Sequence, residues 1–362
     1  MTSDSLAVRS IGTNPTLAWG MTSTERLRRI AKAQGLAFGA SQNGPTLLVA
    51  ASHVFEPAWL KFMAAHPNSV LTLGGDNVIA HVASGWTGDS FPQGLTEIRA
   101  EDHRLFYNET LRKREEPVLE RLEPGKVRTI ERKTYFGAYK GVTDLLTKYL
   151  WPEWALVLTR VAARIGMTPN QVTTIGAILC VVATWLFWRG DYWAGMAAGL
   201  GFMVLDTVDG KLARCTISSS AWGDVFDHGL DLVHPPFWWW AWGVGLANWG
   251  LALSDTIFTT VMVAIVGGYV VQRLIEGIFI QRYAGIHIHV WEKLDSDFRL
   301  ITARRNPNMV ILFAATLLQR PDIGLIAVAG WTVLSCLFHA VRLVQAMVRQ
   351  ARGETITSWL AV

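Results

Sequence analysis

The stretch DTVDGKLARCTISSSAWGDVFDHGLD, Asp206–Asp231, sets Asp206, Asp209, Asp227 and Asp231 inside an otherwise strongly apolar half of the chain. An aspartate in a membrane segment costs about 3 kcal/mol on insertion scales, so residues of this kind usually face an ion or substrate pathway. Four of them call for a physical account. Asp206, Asp209 and Ala213 recur at spacings of three and four, and Gly223, Asp227 and Asp231 at steps of four, so each set shares one helical face. The chain turns between them through Cys215 to Ala221, which points the two faces at each other. Carboxylates converging in low dielectric are tolerable only with bound cations or protons, and oxygen-only ligands favour Mg2+ or Mn2+ over zinc. Asp224 lies off the shared face and suits a solvated or capping role, while His228 and His234 flank the region as packing residues.

Outward from this stretch, 51% of the 362 residues are apolar, 17 are Trp, and mean hydropathy is +0.25, which excludes an ordinary soluble domain. Apolar residues concentrate after about Trp151, so the chain divides into a soluble front and a membrane back. Spans are expected near 171–188, 192–212, 222–246, 255–280, 308–319 with a slight extension, and 323–346. With the front in the cytoplasm, the inner loops hold Lys211, Arg214, Arg282, Lys293, Arg299, Arg304, Arg305, Arg349 and Arg352, and the outer loops hold Arg189 and Arg320. That bias fits six spans with both termini inside. The opening MTSDSLAVRSIGTNPTLAWG lacks a basic segment followed by a long apolar core, so no cleavable signal is expected. The net charge of +4 is modest and its Lys and Arg are scattered, which argues for contact with membrane lipids rather than nucleic acid. Cys180, Cys215 and Cys336 are far apart and read as inert thiols.

Residues 1 to about 140 read as α/β. A helix is expected through TERLRRIAKAQG, a strand at Thr46 to Ala50, an amphipathic helix over HVFEPAWLKFMAAHP, and two strand-like runs, Val70 to Gly74 and Val78 to Ala83, around a Gly-Gly turn. Neither GASQNGP nor LTLGGDN matches a glycine-rich phosphate loop, which favours a regulatory or assembly role over catalysis. Residues 101 to 150 are dense in mixed charge and read as a connector with a solvated face, and Trp151 to Ile165 as an interfacial helix with Trp154, Leu158 and Ala162 on one side and Arg160 and Arg164 turned to lipid phosphates. The expected architecture is a small soluble α/β domain followed by a polytopic α-helical membrane domain of six transmembrane helices with an N-terminal interfacial helix.

The complete pattern Asp206-x-x-Asp209-Gly210-x-x-Ala213-Arg214, eight residues, Gly223-x-x-x-Asp227-x-x-x-Asp231 resembles the signature of the CDP-alcohol phosphotransferases, and MTPNQVTTIG at Met167 to Gly176 resembles the lead into their first span. At background frequencies of roughly 5 to 10% per position, a chance match is on the order of one in a billion per starting point. The resemblance implies a membrane domain over 167–350, a connector and interfacial helix over 141–166, a homodimer, and a cytoplasm-facing site with two divalent ions, Mg2+ or Mn2+. It implies that Asp206, Asp209 and Asp227 ligate the metals, and that Asp231 is a further ligand and the base for the acceptor hydroxyl. It also implies that Gly210, Ala213 and Gly223 admit the cytidine nucleotide and that Arg214 contacts its phosphates. The activity it implies is transfer of a phospho-alcohol group from a CDP-linked donor, such as CDP-diacylglycerol or CDP-inositol, to an alcohol acceptor with release of CMP, in a bacterial-type inner or plasma membrane.

An acceptor bearing a phosphate, such as inositol phosphate or glycerol phosphate, is suggested by Arg282 with the pair Arg304 and Arg305, although the same residues serve as positive-inside signals. An α/β front fused to such a domain also resembles bifunctional enzymes that make CDP-inositol. The front lacks their initial glycine-rich basic loop, so 1–140 is expected to be a nucleotidyltransferase-like domain without catalysis. The competing class is an ion-binding transporter or scaffold, for which internal repeats and interrupted helices are expected and not found.

Overall fold

The structure is a computed structural model that describes residues 6–39, 44–83, 86–103, 106–109 and 111–361. Most of GASQNGP therefore lies outside the described residues. The chain forms two compact units: Met1–Tyr139 with Leu156–Thr168 and Gly210–Ser219, and Lys140–Ala155 with Pro169–Asp209 and Ser220–Val362.

The first unit is built on β1 (Ala7–Ile11), α1 (Ser23–Ala33), β2 (Ala37–Phe38), β3 (Thr46–Ala50), β4 (His53–Phe55), α2 (Pro57–Ala64), β5 (Ser69–Leu73), β6 (Asp76–Val82) and β7 (Thr96–Arg99). Six strands form one mixed sheet in the order β2-β1-β3-β6-β5-β7. Every residue of β3 is buried because both sheet faces are covered. Leu47 and Val49 join Leu27, Ile30, Trp59 and Met63 on the helix side, and Leu48 packs with Val70, Ala80 and Val82 on the other. Gly74 and Gly75, both at positive φ (57° and 87°), make the tight turn between β5 and β6.

Two expectations for this unit are corrected. His53–Phe55 is a strand, not the start of a helix. Pro57 disfavours helical geometry at the residue before it, and the strand pairs with β10 (Leu119–Arg121) instead. The charged stretch expected as a connector contains a hairpin of β8 (Phe106–Asn108) and β9 (Lys113–Glu115), then β10 and α3 (Val127–Gly137). Glu131 and Thr134 of α3 bind the backbone and indole N–H groups of Trp19, so this stretch is part of the folded unit.

Glu56 of this unit carries a pH dependence. Burial, and then repulsion by Glu115, push its carboxyl up from 4.5 to about 7. A raised acid holds its proton longer when folded, so its contribution is fully present below about pH 4.5 and is lost as pH rises through about 7. Unfolding followed between pH 5 and 7 should show stability falling by up to about 1.4 kcal/mol per pH unit, a slope that Glu56→Gln removes. Equal slopes in the two proteins would refute this.

In the chain order of the remaining helices, α4 (Leu145–Tyr149) and α5 (Pro152–Arg164) precede α6 (Pro169–Trp188), α7 (Tyr192–Cys215), α8 (Ala221–Gly245), α9 (Asp255–Met262), α10 (Gly268–Arg282), α11 (Lys293–Arg299), α12 (Arg305–Leu317) and α13 (Pro321–Ala351). A π-helical segment at Val263–Gly267 joins α9 to α10 without a break. Among the described residues, three stretches are long and apolar enough to cross a membrane: Pro169–Trp188, Asp255–Arg282 and Pro321–Ala351. α7 and α8, at 24 and 25 residues, are as long, but they carry the aspartates, and α12 has 13 residues.

α5 shows an exposed apolar stripe of Trp154, Val157, Leu158, Val161 and Ile165, whereas Ala162 is buried, contrary to the expected face. Arg160 does not reach outward. Its guanidinium binds Glu131 at 2.9 Å and the Arg128 carbonyl.

Candidate functional site

Asp206 and Asp209 sit one turn apart on α7, and Asp227 and Asp231 one turn apart on α8. Local chemistry fixes both helices there. The Trp151 indole donates to the Thr207 hydroxyl at 3.0 Å, next to Asp206. Ser220 caps α8 by accepting from the Gly223 amide at 3.1 Å, and exposed Asp224 in the first turn complements the helix dipole. Pro235 and Pro236 lie inside α8. Pro236 has no N–H for the Leu232 carbonyl, and the Tyr269 hydroxyl supplies that bond at 3.0 Å, one residue past Asp231.

The four carboxylates have unequal surroundings. Asp209 is 2% exposed, and its Oδ2 accepts from the Thr173 hydroxyl at 2.6 Å. Asp206 and Asp231 are joined through Arg305, whose guanidinium donates to Asp206 Oδ2 at 2.8 Å and to Asp231 Oδ1 at 2.7 Å. The same guanidinium lies over the Phe202 ring, 4.7 Å from its centroid. The Arg305 side chain is 10% exposed, and that of Asp231 46%. Asp227 is half-buried.

Among the described residues, no three His, Cys, Asp or Glu side chains are grouped so as to hold a metal ion. The donor set nevertheless fits a hard divalent cation. The four candidates are all carboxylates, two on α7 and two on α8, and the Arg305 guanidinium stands between Asp206 and Asp231.

Gly223 leaves room for a neighbour. A Cβ there would stand 2.8 Å from Asn170 Oδ1 and 3.0 Å from Ser220 Oγ. Gly223→Val should therefore displace Asn170 and the α8 cap, lowering the melting temperature by several degrees, as loss of about 1 to 2 kcal/mol would. An unchanged melting temperature would show that the approach is not needed. Gly210, Ala213 and Arg214 lie on the last turns of α7, in the first unit. The Arg214 guanidinium packs against Gly210, where a Cβ would meet it at 3.1 Å, and its Nε donates to the Ala138 carbonyl at 3.1 Å.

The three arginines expected to bind an acceptor part company. Arg282 is exposed and donates to Gln350 at 2.9 Å. Arg305 holds aspartates. Arg304 binds Glu276 at 2.5 Å and lies 3.1 Å from His289 Nε2. Around it is a group not anticipated from the sequence: Arg273 pairs with Glu276 at 3.2 Å, and Arg273 Nε, Arg299 Nη1, Arg304 Nε and both His339 nitrogens are buried without a hydrogen-bond partner. His228 and His234 each bond a carbonyl four residues back, Asp224 and Leu230, and His234 packs edge-on to Phe202.

Residues 166–341 match the family model for CDP-alcohol phosphatidyltransferase. Cholinephosphotransferase 1 of Gallus gallus is 32% identical over 127 residues, 32% of this chain and 36% of that protein. The Danio rerio protein of the same name is 39% identical over 82 residues, 20% of this chain and 22% of that protein. Archaetidylinositol phosphate synthase of Pyrococcus horikoshii is 28% identical over 172 residues, 47% of this chain and 80% of that protein. The chain thus spans about a third or less of the length of the two cholinephosphotransferases. A Mycobacterium tuberculosis phosphatidylinositol phosphate synthase structure with CDP-DAG bound aligns with TM-score 0.39 at 18% identity, over 52% of this chain and 92% of that one.

Proposed function

From the premise that the chain carries a CDP-alcohol phosphatidyltransferase domain at residues 166–341, we propose that it transfers a phospho-alcohol group from a CDP-alcohol to an acceptor hydroxyl and releases CMP. The observation that carries this is the Arg305 guanidinium shared by Asp206 of α7 and Asp231 of α8, with all eight signature residues present in the sequence. In the proposed reaction the acceptor oxygen forms a bond to the phosphorus that bears the alcohol. The bond from that phosphorus to the bridging oxygen breaks, and CMP leaves with that oxygen. The acceptor's proton passes to Asp231, whose side chain is 46% exposed. Asp206, Asp209 and Asp227 would hold divalent metal with Asp231, and such ions neutralise charge on a diphosphate and its leaving group. Thr173 fixes the Asp209 carboxylate, and Gly223 keeps the entry to α8 clear of side chain.

The acceptor we propose bears a phosphate. Support comes from Arg273, Arg299 and Arg304, three guanidiniums with buried N–H groups that have no protein acceptor. Label transfer from CDP-diacylglycerol and from CDP-inositol to inositol phosphate, glycerol phosphate, choline and diacylglycerol tests this, and transfer only to an acceptor without a phosphate would refute it.

We further propose that α6, α7, α8, the α9–α10 helix, α12 and α13 are six spans with both termini on the cytoplasmic side. Support comes from the three stretches long and apolar enough to cross and from helices over most of the other three runs. Labelling of single cysteines at 189 and 352 from the two sides checks it, and labelling of both from the same side would contradict it. The front unit is proposed to lack nucleotide chemistry, because Arg26 in the first turn of α1 is buried and spent on the Phe55 and Cys215 carbonyls. Formation of a CDP-alcohol from CTP and an alcohol phosphate would overturn that.

A further inference from the structure

The contacts of Arg305 raise a question of charge. Asp231 Oδ1 accepts from Arg305 at 2.7 Å, and Asp206 Oδ2 accepts from the same side chain at 2.8 Å. The guanidinium is backed by the Phe202 ring at 4.7 Å and leaves α12 at its first residue. It therefore bridges α7, α8 and α12 as a cation of the right sign, in a place where carboxylate charge is in excess. A divalent ion carries twice its charge and approaches carboxylate oxygens to about 2.0 to 2.2 Å, so it outcompetes one guanidinium for the same oxygens.

We infer that Arg305 is an internal counter-ion, which holds Asp206 and Asp231 together in the metal-free protein and surrenders them when divalent metal binds. This rests on the metal site proposed above. The three elements that Arg305 joins would be less firmly tied without either cation.

The test is Mn2+ binding to the full-length protein in detergent, followed by the electron paramagnetic resonance signal of free Mn2+, with thermal unfolding measured on the same samples. Arg305→Gln keeps the hydrogen-bonding shape and removes the charge. It should bind Mn2+ at least tenfold more tightly, melt lower than wild type when metal-free, and regain most of that difference in saturating Mn2+. Arg305→Lys keeps one positive charge but cannot bridge two carboxylates with a planar fork, so it should bind Mn2+ with intermediate affinity and gives an answer if the Gln variant does not fold. Wild-type binding that is equal to or tighter than that of the variants would overturn the inference alone. Failure of wild type to bind Mn2+ at all would overturn the metal reading and the inference with it.

Discussion

Replacing Asp227 by Asn is expected to reduce CMP release by about a thousandfold or more while the protein stays folded in detergent. Asp227 is the cleanest test of the four carboxylates. Asp206 and Asp231 are tied to Arg305, and Asp209 to Thr173, so removing any of these disturbs an ion pair or a buried hydrogen bond as well as a candidate ligand. Asn is nearly isosteric and keeps one oxygen donor, but it supplies no negative charge to a hard cation. The loss should come with weaker Mn2+ binding and should be partly recovered by raising the metal concentration. A variant with wild-type activity at limiting metal would remove Asp227 from the site.

The second large effect is expected at Asp231. Asp231→Asn should lower kcat by about 10² to 10⁴-fold, the usual contribution of a general base, with a smaller change in the KM for donor. Two readouts separate this role from ligation alone. The acidic limb of the pH profile should disappear in the variant if Asp231 takes the proton, and Mn2+ binding should persist through the remaining three carboxylates. A variant that keeps kcat, or that loses kcat only because metal is lost, would assign the base elsewhere.

Much of this was legible before any coordinates, for physical reasons that differ from place to place. The helical faces of Asp206, Asp209, Asp227 and Asp231 follow from spacing, because a charge in an apolar run has few tolerable positions and the 3.6-residue period fixes its direction. The runs at 171–188, 255–280 and 323–346 fall within the three stretches that are long and apolar enough to cross a membrane, whereas 192–212, 222–246 and 308–319 fall on α7, α8 and α12, which carry the aspartates or are short. Arg305 was legible as a cation near the site but not as the partner of Asp206 and Asp231, because that pairing joins residues 99 and 74 positions apart and no local pattern records it. Thr173 and Asn170 were missed for the same reason, although both lie in MTPNQVTTIG.

The Arg273 and Glu276 pair was an avoidable omission. Two opposite charges three residues apart inside the run 255–280 satisfy the same rule that singled out the aspartates. In the front half, β4 and the strands after residue 101 were hidden by composition. Short pieces such as Lys113–Glu115 are held by pairing with partners and not by their own propensity.

The most direct test of the central claim is transfer of label by the purified full-length protein. A CDP-alcohol labelled on the phosphate attached to the alcohol is supplied with candidate acceptors. The account predicts one CMP released for each labelled phospho-alcohol joined to an acceptor, abolition by chelation, and recovery on adding Mg2+ or Mn2+. Bound Mn2+ with no CMP released from any CDP-alcohol would contradict it, and would leave the four aspartates as an ion site without transfer chemistry.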